Sequence, residues 1–178
     1  MMLVSPLYDS APQQASPRAL AAFALLDSLG VRYTRIEHER ADTMELCAAI
    51  SDALGVRICK NLFLCNRQQT AFYLLCMPED KPFYTKDLSH QIGSSRLSFA
   101  PAEKMEELLG CASGSCSVLG LANDTERRVK LLFDRDVVEA EWFACHPCDN
   151  TGSLKFRTRD LLTVILPHVA HGYDVVEL

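Results

Sequence analysis

Two apolar runs, Arg57–Cys65 and Ala71–Met77, stand on either side of the polar pentapeptide Asn66-Arg67-Gln68-Gln69-Thr70. Runs of this length joined by so short a polar link predict a β-hairpin, and a hairpin of apolar strands must be covered by other elements. Ser16-Pro17 is an N-cap followed by proline at the first helical position, opening an amphipathic helix through Leu20, Phe23, Ala24 and Leu26 to a stop at Gly30. Val31 to Glu37 alternates as a strand does. Asp42-Thr43-Met44-Glu45 has the pattern of a capping box and opens a helix that Gly55 ends.

Short helices are expected at Thr85 to Ile92 and Ala102 to Leu109, each closed by a glycine, with strands at Val129 to Phe133, Glu141 to Cys145 and Ser153 to Phe156. A last helix runs from Thr158 to Leu166 and is stopped by Pro167. Strand and helix do not alternate regularly, which favours a mixed, largely antiparallel sheet with helices packed around it over a doubly wound parallel one. The 178 residues fit one domain, and residues 1–15 read as a weakly structured extension.

Hydrophobic residues at 48% and charged residues at 23% belong to an ordinary globular chain. Apolar stretches such as Ala19 to Leu26 are too short to span a bilayer. Met1 to Pro6 lacks a secretory n-region, so a cytoplasmic location is expected. A net charge of −5 excludes a broad basic coat for nucleic acid. Two modest basic clusters, Arg127-Arg128-Lys130 and Lys155-Arg157-Arg159, could each form a local patch, and solvated strand faces explain them equally well.

Period-two alternation puts Lys60 on one face of its strand with Ile58, Leu62 and Leu64. A lysine there more often lays its stem on the core and snorkels to water; the functional reading is a cation at the mouth of a pocket. Gly114-Ser115-Cys116-Ser117, continuing to Gly120, is a small-residue loop whose glycines let backbone approach a ligand and present N–H donors to a developing oxyanion. Ordinary loops share that composition. Cys145-His146-Pro147-Cys148 offers a thiol redox pair or half a zinc site, with Cys111 and Cys116 as the other half. Spacing opposes both readings, because the second pair is Cys-x4-Cys and the motif falls late rather than at a helix N-terminus. The eight cysteines are best read as reduced core thiols. No nucleophile elbow, P-loop or dinucleotide fingerprint is present.

Taken in order, Leu25-Leu26-Asp27-Ser28-Leu29-Gly30-Val31-Arg32-Tyr33, Glu37-His38, Cys59-Lys60-Asn61-Leu62-Phe63-Leu64, Arg96-Leu97-Ser98-Phe99-Ala100, Gly114-Ser115-Cys116-Ser117, Gly120-Leu121-Ala122-Asn123-Asp124 and His146-Pro147-Cys148-Asp149-Asn150-Thr151 resemble the YbaK/prolyl-tRNA synthetase-associated editing family, in particular its free-standing prolyl-tRNA deacylases. The resemblance covers the chain from about residue 20 onward. It implies an α+β fold with a barrel-like sheet, and hydrolysis in trans of an amino acid, typically alanine, wrongly esterified to tRNA for proline. On matching positions Lys60 and Asn61 would bind the terminal adenosine or its ester. Gly114, Ser115, Cys116, Ser117 and Gly120 would line the aminoacyl pocket, with Asn150 beside it. His146 would hold the substrate or the attacking water, with no cofactor and no metal. The implied partners are the aminoacylated acceptor end of tRNA and prolyl-tRNA synthetase, for a monomer.

Departures from the family pattern bear on specificity. Ser117-Val118-Leu119-Gly120 replaces Thr-Pro-Phe-Gly, and Asn150-Thr151-Gly152-Ser153 replaces Asn-Thr-Ala-Thr. A pocket discriminates a single methylene by only ~1–3 kcal/mol, so serine, cysteine or a non-protein amino acid stand as alternative substrates. Two rival readings are a non-catalytic module that binds aminoacyl-tRNA or regulates, and a zinc or thiol-redox protein using Cys145 and Cys148.

Overall fold

A computed structural model describes residues 4–178. Helix α1, Pro17–Ser28, starts where the Ser16 hydroxyl accepts from the Ala19 N–H, and the chain reverses at Gly30 with φ 67°. Strand β1 is Tyr33–Glu37. Helix α2, Met44–Leu54, is capped by the Thr43 hydroxyl and closed by the left-handed Gly55. The hairpin is β2, Cys59–Asn66, and β3, Phe72–Pro78. Then come α3 (Thr85–Gln91), β4 (Leu97–Phe99), α4 (Ala102–Leu109), a 3-10 turn at Val118–Asn123, β5 (Val129–Asp134), α5 (Arg135–Glu139), β6 (Trp142–Cys145) and β7 (Gly152–Arg157). A final helical segment over residues 158–168 precedes β8, Asp174–Val176.

That last helix does not stop before Pro167 as expected. It takes a π-helical turn at Leu161–Ile165 and continues through Leu166–His168. Proline lacks the N–H for the next helical bond and its ring crowds the carbonyl four residues back; widening the preceding turn accommodates it.

The strands form two sheets. In the first, β7 pairs antiparallel with β1 and with β6. In the second, the order is β4-β2-β3-β5-β8, antiparallel as far as β3 and parallel from β3 to β5 and β8. The sheet is therefore mixed and largely antiparallel. Among the described residues no ladder closes it into the expected barrel. Two residues beyond the end of β6, Pro147 has no N–H with which to extend the pairing.

The main core fills the space between the inner faces: Phe63, Phe72, Leu74 and Phe133 from one sheet, Phe143, Leu154 and Phe156 from the other. Outside, α3 covers Leu64, Leu75 and Met77 through Leu88, and α2 lays Leu46, Ile50 and Leu54 on Ile36 and Ala144, with Ile58 beside them.

Residues 4–15 are not a loose extension. Val4 bridges His38 and Tyr8 bridges Arg35 along the free edge of β1, and the nearly buried Arg35 guanidinium donates to the Ser10 carbonyl at 2.5 Å beneath the Tyr8 ring. Edge pairing and a cation–π contact anchor this segment. Residues 1–3 lie outside the described residues.

Candidate functional site

The outer face of the three-stranded sheet carries the polar constellation. Phe143 and Cys145 on β6 face the main core, so Ala144 and His146 face α2. On β7, Leu154 and Phe156 point inward, and Ser153, opposite Ile36, points outward. Ser153 and His146 thus meet under the start of α2, with His38 just past the end of β1.

The bonding fixes the protonation pattern. His38 Nδ1 lies 2.6 Å from the Glu39 carbonyl, and its Nε2 lies 2.8 Å from Ser153 Oγ. His146 Nδ1 lies 2.8 Å from the Gly152 carbonyl and 3.3 Å from Ser153 Oγ. A carbonyl only accepts, so each Nδ1 carries the hydrogen. Ser153 then donates to His38 Nε2 and accepts from His146 Nδ1. Burial, above all, pulls both imidazoles below the usual histidine value; Asp149 opposes this weakly at both rings, and the His38 charge adds to it at His146. Both rings are neutral at pH 7. Among the described residues His146 Nε2 has no hydrogen-bond partner, and it is not one of the sealed orphan atoms, which are Arg18 Nη1 and Thr158 Oγ1. It is an open lone pair on a fixed ring.

The small-residue loop packs against the segment that follows His146. Ser115 Oγ donates to the carbonyls of Ala112 at 2.9 Å and Cys148 at 3.1 Å. Gly114 has φ 83°, and a Cβ there would come 3.5 Å from Asn150 Nδ2. Asn150 accepts from the Ala41 N–H at 3.2 Å and donates to Asp42 at 3.3 Å, which pins the entrance of α2. Ser117 caps the 3-10 turn by accepting from Leu119 N–H at 3.2 Å. At Gly120 a Cβ would stand 2.5 Å from the Leu109 carbonyl, so only glycine fits. Gly114, Ser115, Ser117 and Asn150 are thereby gathered around the 146–150 turn. Cys116 joins the main core. The N–H groups of Ser115, Leu119 and Gly120 are spent on internal bonds and are not open donors.

Lys60 and Asn61 point to opposite faces of β2. Lys60 lies on the outer face, across from Met77, and its ammonium donates to the Lys81 carbonyl. Lys81 is in turn held by both oxygens of Asp134, at 2.9 and 3.1 Å, and by Asp136. Lys60 lies on the outer face of the five-stranded sheet and turns toward the 78–81 turn, whereas His146 lies on the outer face of the three-stranded one, and among the described residues no hydrogen bond joins them. Asn61 faces inward, accepting from the Cys76 thiol at 3.0 Å. A cleft of about 570 Å³ opens beside Ile58 between α2 and this turn, lined by Met44, Cys47, Ser51, Glu79 and Asp80.

Apart from Cys47, which lines that cleft, most of the thiols pack on the inner side of the sheets. Cys145 is buried in the main core, and burial pushes its thiol well up. Cys148, at a left-handed φ of 61°, is buried in the same core as Cys111. Among the described residues no three His, Cys, Asp or Glu side chains are arranged to hold a metal ion. Half of the two basic clusters is engaged internally: Arg128 pairs with Glu107 and Arg157 with Glu141, while Lys155 donates to the Leu54 carbonyl. No helix among the described residues is long and apolar enough to cross a membrane.

The sequence alone singles out neither His38 nor Ser153 as a site residue. The available signal was Ser153, Lys155 and Arg157 alternating as a polar row on β7, and a histidine two residues beyond the core residue Ile36.

Residues 38–164 match the aminoacyl-tRNA editing domain. The chain is 33% identical over 158 residues to the prolyl-tRNA editing protein ProX of Acetoanaerobium sticklandii, covering 89% of this chain and 96% of that protein. It is 32% identical over 140 residues to prolyl-tRNA synthetase associated domain-containing protein 1 of Danio rerio, covering 77% of this chain and 75% of that one. A solved structure, of a candidate trans-editing enzyme for prolyl tRNA synthetase, superposes with a TM-score of 0.68 at 17% identity, over 93% of this chain and 98% of that one. At that identity the likeness bears on the fold alone.

Proposed function

The chain belongs to the aminoacyl-tRNA editing domain family, and from that premise we propose that it hydrolyses the ester joining a wrongly attached amino acid to tRNA for proline, with alanine as the first substrate to test. The observation that carries this reading is the unbonded Nε2 of His146, held on a neutral ring within the matched segment.

A water hydrogen-bonded to that lone pair attacks the ester carbonyl. Its proton passes to Nε2, the new C–O bond forms, and collapse of the tetrahedral carbon breaks the bond to the ribose oxygen, which takes the proton back. A positioned imidazole contributes on the order of 10²–10⁴-fold to such a step, and each donor to the oxyanion about 3–4 kcal/mol. Lys60 is the candidate cation for the ester or the terminal adenosine, its ammonium exchanging the Lys81 carbonyl for substrate. In this reading Gly114, Ser115, Ser117 and Asn150 line the aminoacyl pocket beside the 146–150 turn, and Asn61, Cys116 and Gly120 support it from the packed interior behind them. The partners in this reading are the tRNA acceptor end and, in the cytoplasm, prolyl-tRNA synthetase, with the protein acting as a monomer.

Purified protein assayed against a panel of tRNA for proline carrying alanine, serine, cysteine or proline tests the reading. It requires hydrolysis of at least one mischarged species well above buffer, with Lys60→Ala raising KM. Rates equal to buffer across the panel would make the chain a binding module instead.

A further inference from the structure

We propose that Ser153 and His38 are positioning residues that, together with the Gly152 carbonyl, hold His146 in the form whose Nε2 is left unbonded. The proposal rests on the deacylase reading for its purpose, but its physical content is separate. The chain of bonds is directional. The Glu39 carbonyl demands a hydrogen on His38 Nδ1, so His38 Nε2 can only accept. Ser153 must therefore give its hydrogen to His38 at 2.8 Å, which leaves its oxygen lone pairs facing His146 Nδ1 at 3.3 Å. The Gly152 carbonyl, 2.8 Å from the same nitrogen, asks for the same thing.

In the opposite tautomer, His146 Nδ1 would aim a lone pair at a carbonyl and at a hydroxyl already committed elsewhere, on a face where His38 and Ser153 are buried. Every donor and acceptor of the three side chains is thus matched except His146 Nε2. When that atom takes a proton, both bonds at Nδ1 become charge-assisted without moving.

Two measurements on the intact chain decide this. In ¹⁵N-histidine NMR at neutral pH, both His38 and His146 are expected as the Nδ1–H form, with Nε2 bare, and Ser153→Ala is expected to introduce the other form at His146. In ester hydrolysis, Ser153→Ala is expected to lower kcat on the order of tenfold, the scale seen when a group orienting a functional imidazole is lost. KM should stay nearly constant, and Ser153→Thr, which keeps the hydroxyl, should restore the rate. An Nε2–H form of His146 in the wild type, an unchanged tautomer in Ser153→Ala, or equal rates for the Ala and Thr variants would overturn the proposal. Should the wild type hydrolyse no ester, the functional reading fails alone, and the NMR result still decides the tautomer.

Discussion

The two faces of the small sheet bury ionisable groups in opposite ways. Inward, Cys145 lies among apolar side chains near Cys59, Cys76 and Cys116; burial pushes all four thiols up, Cys59 to about 12, and leaves them neutral and inert. Outward, burial makes His38 and His146 neutral too, but neutrality gives imidazole a lone pair rather than removing one. The same desolvation disarms a thiol and arms a histidine. What separates site from core here is the sign of the charge each group would carry, together with one nitrogen left unbonded.

The sharpest way to break that contrast is to exchange residues across it. His146→Gln is expected to lower kcat for ester hydrolysis on the order of 10²–10⁴-fold, while Cys145→Ala, its neighbour on the inner face, leaves kcat within a few-fold and registers only as lost stability. Similar kinetic losses in both variants would erase the distinction. The next largest effect falls on the inner loop. Gly120→Ala drives a methyl to 2.5 Å from the Leu109 carbonyl and 2.9 Å from Cys111 Sγ, both within packed structure, and should cost about 1–3 kcal/mol in denaturant unfolding.

A smaller effect belongs to the outer face. His38 and His146 have folded-state values below 6.5, so the unfolded chain binds more protons as pH falls. Their stabilisation is complete above 6.5 and is lost below it, down to the folded-state values. Denaturant midpoints measured downward from pH 7 should drop in that window, and less so in a His38→Gln, His146→Gln double variant. The smallest expectation is of almost no change. A disulfide reagent at pH 8 should meet few reactive thiols in the native chain, and all eight should respond once guanidinium unfolds it.

Much of this was legible in the sequence where the signal is local. Ser16-Pro17, Thr43, Gly55 and Gly110 mark helix ends through capping and left-handed backbone, and each does so in the structure. The alternation that set Lys60 with Ile58, Leu62 and Leu64 describes β2 correctly, but gave no hint that the ammonium turns to the Lys81 carbonyl. What escaped is long-range. β8 pairs with β5 through Asp174 and Leu132, and Tyr8 pairs with Arg35. In neither case does the short segment carry a strand pattern of its own, since edge pairing is set by the partner. The His38–Ser153–His146 chain joins residues more than a hundred positions apart. A polar residue on an alternating strand says only that something polar is near, not which residue answers it.

The most direct test of the account is the pH dependence of aminoacyl-ester hydrolysis, corrected for the buffer reaction. His38 and Asp149 face His146 most closely, with Asp42 at the mouth of α2 and Lys60 on the adjoining strand. The account predicts a rate that stays level through pH 6.5 and falls only below it, along an acid limb that vanishes in His146→Gln. An acid limb at or above the ordinary histidine value, or one that survives in that variant, would contradict it.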